Sequence, residues 1–158
     1  MLILDEKNIR DAFVNASRKE LTELTLPELG DFERLDYLGW TDRKLPRRSY
    51  VVVPVDGEPV GLVLQQAGTA PRTRAQCSWC RDVKLPNDVV FFAARKAGAA
   101  GRKGDTVGTL ICAEFQCSAN VRKAPPMAYI GFDVEAARLE RIASLQAHAA
   151  GFAAAVLG

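Results

Sequence analysis

The sequence predicts an α+β fold, a small antiparallel sheet flanked by an N-terminal helix and a long C-terminal helix. Three observations lead there. Two β-branched, apolar runs flank the turn pair Asp56-Gly57. The C-terminal segment repeats apolar residues at three- and four-residue steps. Between these regions stand two close cysteine pairs, Cys77 with Cys80 and Cys112 with Cys117. Strands and helices are segregated along the chain, as an α+β arrangement requires.

The first helix opens at Asp5, whose carboxylate can accept from exposed first-turn amides, with Leu4 and Ile9 placed as a hydrophobic staple. Ile9, Ala12, Phe13 and Ala16 follow helical spacing and are expected in the core. The polar run Asn15 to Glu20 is expected to end that helix. Pro27 and Gly30 punctuate the next stretch, and a short helix or turn is expected near Asp31–Leu38, ahead of Gly39-Trp40. From Ser49 to Gln66 the pattern is that of a hairpin. Tyr50-Val51-Val52-Val53 and Val60-Gly61-Leu62-Val63-Leu64 are its strands, and Gly57 tolerates the positive φ that a two-residue turn needs. Pro54 and Pro59 fall at strand ends, where no ladder amide is lost.

A polar loop, Gly68 to Gln76, leads to the first cysteine pair. Val89-Val90-Phe91-Phe92 reads as a strand and Thr106–Ile111 as its partner, joined by the glycine-rich, basic connection Ala97–Gly104. A short helix is expected to start near Cys117 and stop before Pro125-Pro126. Asp133 caps the longest helix. Its apolar stripe is Leu139, Ile142, Leu145, Ala149, Phe152 and Val156, with Arg138 and Arg141 off it. No repeat or boundary divides the chain, so residues 1–158 read as one domain whose cysteine-bearing core covers about 74–124.

Composition narrows the function classes. With 48% hydrophobic and 25% charged residues, disorder and a coiled-coil rod are excluded for the chain as a whole. No apolar run approaches the ~20 residues of a membrane span. The start, Met1-Leu2-Ile3-Leu4-Asp5-Glu6, meets acid too soon for a secretory leader, so a cytoplasmic chain with no membrane partner is expected. The formal charge of +2 conceals a gradient: residues 72–123 carry 10 Lys/Arg against 4 Asp/Glu, a net +6. Such an excess favours an acidic partner, either nucleic acid or an acidic protein face.

The cysteines carry the chemistry. Cys77-Ser78-Trp79-Cys80 is a C-x2-C knuckle and Cys112-Ala113-Glu114-Phe115-Gln116-Cys117 a C-x4-C pair. Two local pairs joined by one metal are what tetrahedral zinc requires, and four thiolates leave no open catalytic position. The second pair straddles a strand end and a helix start, where helix amides would help keep the Cys117 sulfur deprotonated. A disulfide framework belongs to exported chains. A thioredoxin-like pair needs a βαβ context that is absent around Cys77. Buried free thiols remain the plain alternative to one structural Zn2+.

His148, the single histidine, has no second histidine or cysteine at helical spacing and reads as a surface or interface residue. No catalytic residue is assigned. Gly98, Gly101, Gly104 and Gly108 fit neither the P-loop nor the dinucleotide fingerprint. Gly101-Arg102-Lys103-Gly104 is formally a G-x-x-G, but it joins two strands and reads as a hairpin loop. Trp79, Phe91 or Phe92 could stack on RNA, although the last two suit a strand core.

Several segments together resemble a known family. Leu38-Gly39-Trp40-Thr41-Asp42, the Cys77/Cys80 knuckle, Ala93-Ala94-Arg95-Lys96-Ala97-Gly98, Thr106-Val107-Gly108-Thr109-Leu110-Ile111-Cys112-Ala113 and Cys117-Ser118-Ala119-Asn120-Val121-Arg122 run in the order seen there. They resemble the C-terminal treble-clef zinc-finger domain of the elongation factor G-binding proteins, the fusidic-acid-resistance family, from about Ile9 to Phe132. The resemblance implies a non-enzymatic protein that binds elongation factor G and promotes its release from the ribosome. It places one zinc on Cys77, Cys80, Cys112 and Cys117. Trp79, expected to project from the knuckle, is the leading partner contact, with Arg102, Lys103 and Arg122 behind it. The resistance proteins place a substantial helical domain ahead of the finger. Here a helix and a turn precede the strands, so fold and zinc site carry over and drug protection does not follow. The other function class is a zinc finger that binds RNA or the ribosome through the basic segment 72–123.

Overall fold

In chain order the elements are α1 (Glu6–Asp11), α2 (Arg18–Glu23), β1 (Leu38–Thr41), β2 (Arg48–Val55), β3 (Glu58–Gln66), β4 (Val89–Arg95), α3 (Gly98–Arg102), β5 (Thr106–Cys112), α4 (Cys117–Arg122) and α5 (Val134–Leu157). The structure, a computed structural model, describes residues 5–28, 35–68, 75–82 and 88–158.

The hairpin read from the sequence is the middle of the sheet. β2 and β3 pair antiparallel from Arg48↔Gln65 to Val55↔Glu58, with Pro54 opposite Pro59 beside the turn. Asp56 and Gly57 both take positive φ, 50° and 83°, the backbone of a two-residue hairpin turn whose twist matches its strands. β1 adds to the outer edge of β2, with Trp40 opposite Tyr50, and β4 pairs with β5 over its whole length. The sheet is therefore an antiparallel meander in the order β1-β2-β3-β4-β5.

The joint between β3 and β4 is narrow, resting on Gln65↔Ala93 and Gln66↔Phe92. Beyond it the strands fork, and the chain after α1 fills the gap. Gly61 donates to Ala12 O, and Val14 donates back to Gly61 O. The Asn15 amide nitrogen donates to both Val63 O and Arg95 O, while its oxygen accepts from Val63 N. An otherwise exposed strand edge is thereby satisfied. Gly61 leaves room for this crossing, since a Cβ there would sit 3.0 Å from the Phe13 ring.

Two apolar clusters lie on opposite faces. The larger joins Val51, Leu62, Leu64, Phe92 and Ile111 to Leu145, Ala149, Phe152 and Val156 of α5, and includes all four cysteines. The smaller packs Ile9, Ala12 and Leu24 against Leu38, Trp40, Tyr50 and Val52. Phe13 sets its ring edge-on to Trp40 and Tyr50 there.

Four local expectations change. The run Asn15 to Glu20 ends α1 but also starts α2: Ser17 Oγ accepts from Glu20 N, and the Glu20 carboxylate accepts from Ser17 N, a complete capping box. Leu38 begins a strand rather than closing a helix or turn, and residues 31–34 of that expectation lie outside the described residues. The basic connection after β4 holds a helical turn, α3, where Gly101 is obligatory because a Cβ would meet Lys96 O at 1.7 Å. Leu139 is 59% exposed and does not join the apolar stripe of α5 in the core. Residues 69–74 of the polar loop before Cys77, and Leu4 of the staple, also lie outside the described residues. No helix among the described residues is long and apolar enough to cross a membrane.

Candidate metal centre

The four cysteines reach the centre from three pieces of local structure. Cys77 and Cys80 bracket a tight turn in which Cys80 N donates to Cys77 Sγ at 3.4 Å. Ser78 N donates to Leu110 O, which pins that turn to the edge of β5. Cys112 ends β5 and Cys117 is the first residue of α4. The linking loop turns back at Phe115, with φ 57°, and its ring stacks on Phe92. Gly39 accommodates it: a Cβ there would lie 2.6 Å from Phe115 Cγ.

All four sulfurs are buried and lie within 4.8 Å of one another. Cys77 Sγ and Cys117 Sγ are 3.7 Å apart, as are Cys80 Sγ and Cys112 Sγ. Zinc–sulfur bonds of about 2.3 Å in a tetrahedron place sulfurs about 3.8 Å apart, whereas a disulfide needs about 2.05 Å. The donor set fits one structural zinc ion.

The electrostatics agree. Hydrogen bonds from Cys112 and then Cys117 pull the Cys77 thiol far below its ordinary value. Cys117 is pushed far up by its bonds to Cys112 and Cys77. Thiolates crowded together repel, and a divalent cation at their centre removes the conflict by replacing the shared protons. Around the sulfurs, Asn120 Nδ2 lies 3.7 Å from Cys80 Sγ and 3.6 Å from Cys112 Sγ, orienting two ligands. Burial pushes the Tyr37 hydroxyl well above its usual value, so it stays neutral beside the cluster.

Trp79 does not project. It is 2% exposed, with its ring edge-on to Tyr37 at 4.9 Å and tilted against Phe152 of α5 at 5.8 Å. The knuckle turns one side chain outward as expected, but that side chain is Ser78. Arg122 is also engaged, donating to both Asp36 carboxylate oxygens and to Ser118 O. Arg102 and Lys103 are exposed at the end of α3.

Sequence reasoning missed the residues that tie the knuckle down. His148 Nδ1 lies 3.0 Å from Trp79 O, and since a carbonyl only accepts, Nδ1 carries the proton. Asp36, ahead of β1, accepts from Arg122 and Gln146 on its buried carboxylate, while its backbone N–H donates to Ser118 Oγ. Arg141 donates to Asn120 O and Lys123 O, closing α4 onto α5. Only Arg141 had a sequence signal, a cation off the apolar stripe.

A family model described as the FBP C-terminal treble-clef zinc-finger matches residues 8–156. No curated protein matches the chain at a significant level.

Proposed function

The chain belongs to the FBP C-terminal treble-clef zinc-finger family, and from that premise we propose that it is a non-enzymatic, cytoplasmic binding protein. Its partner in this reading is elongation factor G, whose release from the ribosome it promotes, with residues 1–158 acting as one unit. The family is not a family of enzymes, and the observation that carries the reading is its match across nearly all of the chain. Four buried sulfurs that fill a tetrahedral shell suit a scaffold, because no position is left for substrate or activated water.

Partner contact then falls on surface other than Trp79. Exposed apolar residues gather between α4 and α5: Met127 is 67% exposed, Tyr129 65% and Ile130 99%, with Leu139 at 59% on the adjoining turns of α5. Apolar surface of this kind marks protein contacts more often than it serves a free chain. Arg102 and Lys103 steer encounter with an acidic face.

Tagged protein captured from a nuclease-treated lysate should retain elongation factor G. Ile130→Asp should weaken that capture about tenfold or more while zinc content and melting stay at parent values. Capture that disappears with nuclease would contradict the reading.

A further inference from the structure

β5 is the last strand of the sheet, so only one of its edges pairs with a neighbouring strand. The register shows which of its backbone groups face outward. Ala113 N donates to Asp88 O and Lys96 N donates to Asp105 O, at the two ends of the β4–β5 ladder. Hydrogen bonding alternates along an antiparallel strand, so Val107, Thr109 and Ile111 turn their amides and carbonyls to β4. Thr106, Gly108 and Leu110 turn theirs away. Two contacts agree with this assignment. Ser78 N donates to Leu110 O from beyond the edge, and Phe91 O, opposite Leu110, accepts from Ala67 N on the β3 side. Ser78 occupies Leu110 O. The N–H and C=O of Thr106 and Gly108, and the N–H of Leu110, have no hydrogen-bond partner among the described residues.

β5 carries none of the devices that keep sheet edges from pairing, which are shortness, charge, proline and bulges. β1, at the other end of the sheet, is blunted by its length of four residues. β5 has seven, Thr-Val-Gly-Thr-Leu-Ile-Cys, with no charge and no proline, and its ladder to β4 is unbroken. Thr106 and Gly108 are exposed. Gly108 also opens the approach to Phe91. The tip of that ring reaches over the bare position from the neighbouring strand, where a Cβ would lie 2.2 Å from Cζ. The ring is 42% exposed and extends toward the edge, where an added strand would set a side chain against it.

Charge selects the kind of strand. Arg102 and Lys103 are exposed in the chain just before Thr106 and have no ion-pair partner among the described residues. Lys96 joins them through its amide bond to Asp105 O. Asp105 is the single acid of this turn, so the Thr106 end of the edge stays cationic. A second copy of the chain would bring the same cations and its own knuckle to this short stretch. A flexible acidic segment brings neither.

The geometry points to a strand-addition site: the edge of β5 from Thr106 to Leu110 takes an extended, acidic peptide segment of a partner protein. The segment's main chain continues the sheet on Thr106, Gly108 and Leu110. One of its apolar side chains lies against Phe91 over Gly108, and its carboxylates meet Arg102 and Lys103. Main-chain pairing supplies the affinity, and the ring and the cations supply the selectivity. The site stands whichever protein supplies the segment, and it shares no residue with the apolar surface of Met127, Tyr129 and Ile130.

The test titrates zinc-loaded full chain into a fluorescein-labelled octapeptide that alternates valine and glutamate, with a valine–lysine octapeptide as control. Anisotropy should show the acidic peptide bound about tenfold or more tightly than the basic one. Amide exchange then reads the site directly. In the free chain Thr106, Gly108 and Leu110 should exchange fast and Val107, Thr109 and Ile111 slowly, and bound peptide should slow the first three about tenfold or more. Arg102→Glu with Lys103→Glu should reverse the preference between the two peptides. Thr106→Pro removes an outward amide and no ladder bond, and should weaken the acidic peptide about tenfold. If that variant melts early, exchange on the parent chain decides. Slow exchange at Thr106 and Gly108 in the free chain, equal affinity for the two octapeptides, or bound peptide that leaves those amides fast would each overturn the proposal. So would a dimer in sedimentation that protects the same amides and excludes the peptide. No translation factor is present in these assays, so their outcome is independent of the capture experiment.

Discussion

The two apolar clusters of this molecule are assembled by different means. On the α1 face, Ile9, Leu24, Leu38, Trp40, Tyr50 and Val52 pack as an ordinary core against a long, well-registered hairpin. On the α5 face the cluster includes four cysteines, and the pieces that deliver them are a turn, a strand end and a six-residue helix. A helix that short does not hold together in water by itself. The difference teaches that the metal does for the second region what strand length and aromatic packing do for the first.

Removing the metal should therefore have the largest effect. Purified protein is expected to carry one zinc per chain, measured by elemental analysis with a thiol count before and after chelation. A structural zinc contributes on the order of 10 kcal/mol, as much as the whole stability of a typical domain. Cys112→Ser should accordingly lose zinc and cooperative melting of the α5 face. A metal-free chain with the parent melting temperature would break the comparison.

Trp79→Ala comes next. Its ring is enclosed by Tyr37 and Phe152, so truncation should cost about 3–5 kcal/mol, read by denaturant titration of the zinc-loaded protein. A loss below about 1 kcal/mol would mean that the metal alone secures the knuckle.

Smaller, and sharper for the joint between the two regions, is Asp36. Burial raises its pKa, but hydrogen bonds from Arg122, Gln146 and Ser118 outweigh burial and hold the carboxyl below its ordinary value. A depressed folded pKa gives stability that is fully present above the unfolded value near 4 and is lost as pH falls through the folded value. Asp36→Asn should cost about 2 kcal/mol at neutral pH and flatten the loss of stability below about pH 4. An unchanged acid limb in pH-dependent unfolding would show that other carboxylates carry it.

The legibility of the sequence follows the same division. The β2–β3 hairpin, the β4–β5 pair, the Cys117 helix and the cap of α5 at Asp133 were readable because each is a local pattern repeated over several residues. The four cysteines were readable because paired spacing is itself the geometric requirement. β1 was not, since four residues show no period, and it is a strand only because Leu38 and Trp40 join a cluster made by distant residues. The fate of Trp79 was decided by α5, more than sixty residues away, which no knuckle argument can see.

Amide hydrogen exchange on zinc-loaded and chelated protein tests the central claim most directly. Chelation should strip protection from the knuckle, α4 and the end of β5, while the amides of β2 and β3 stay slow. Protection that is unchanged everywhere, or lost equally from the hairpin and the finger, would contradict a metal-held face built upon a metal-independent one.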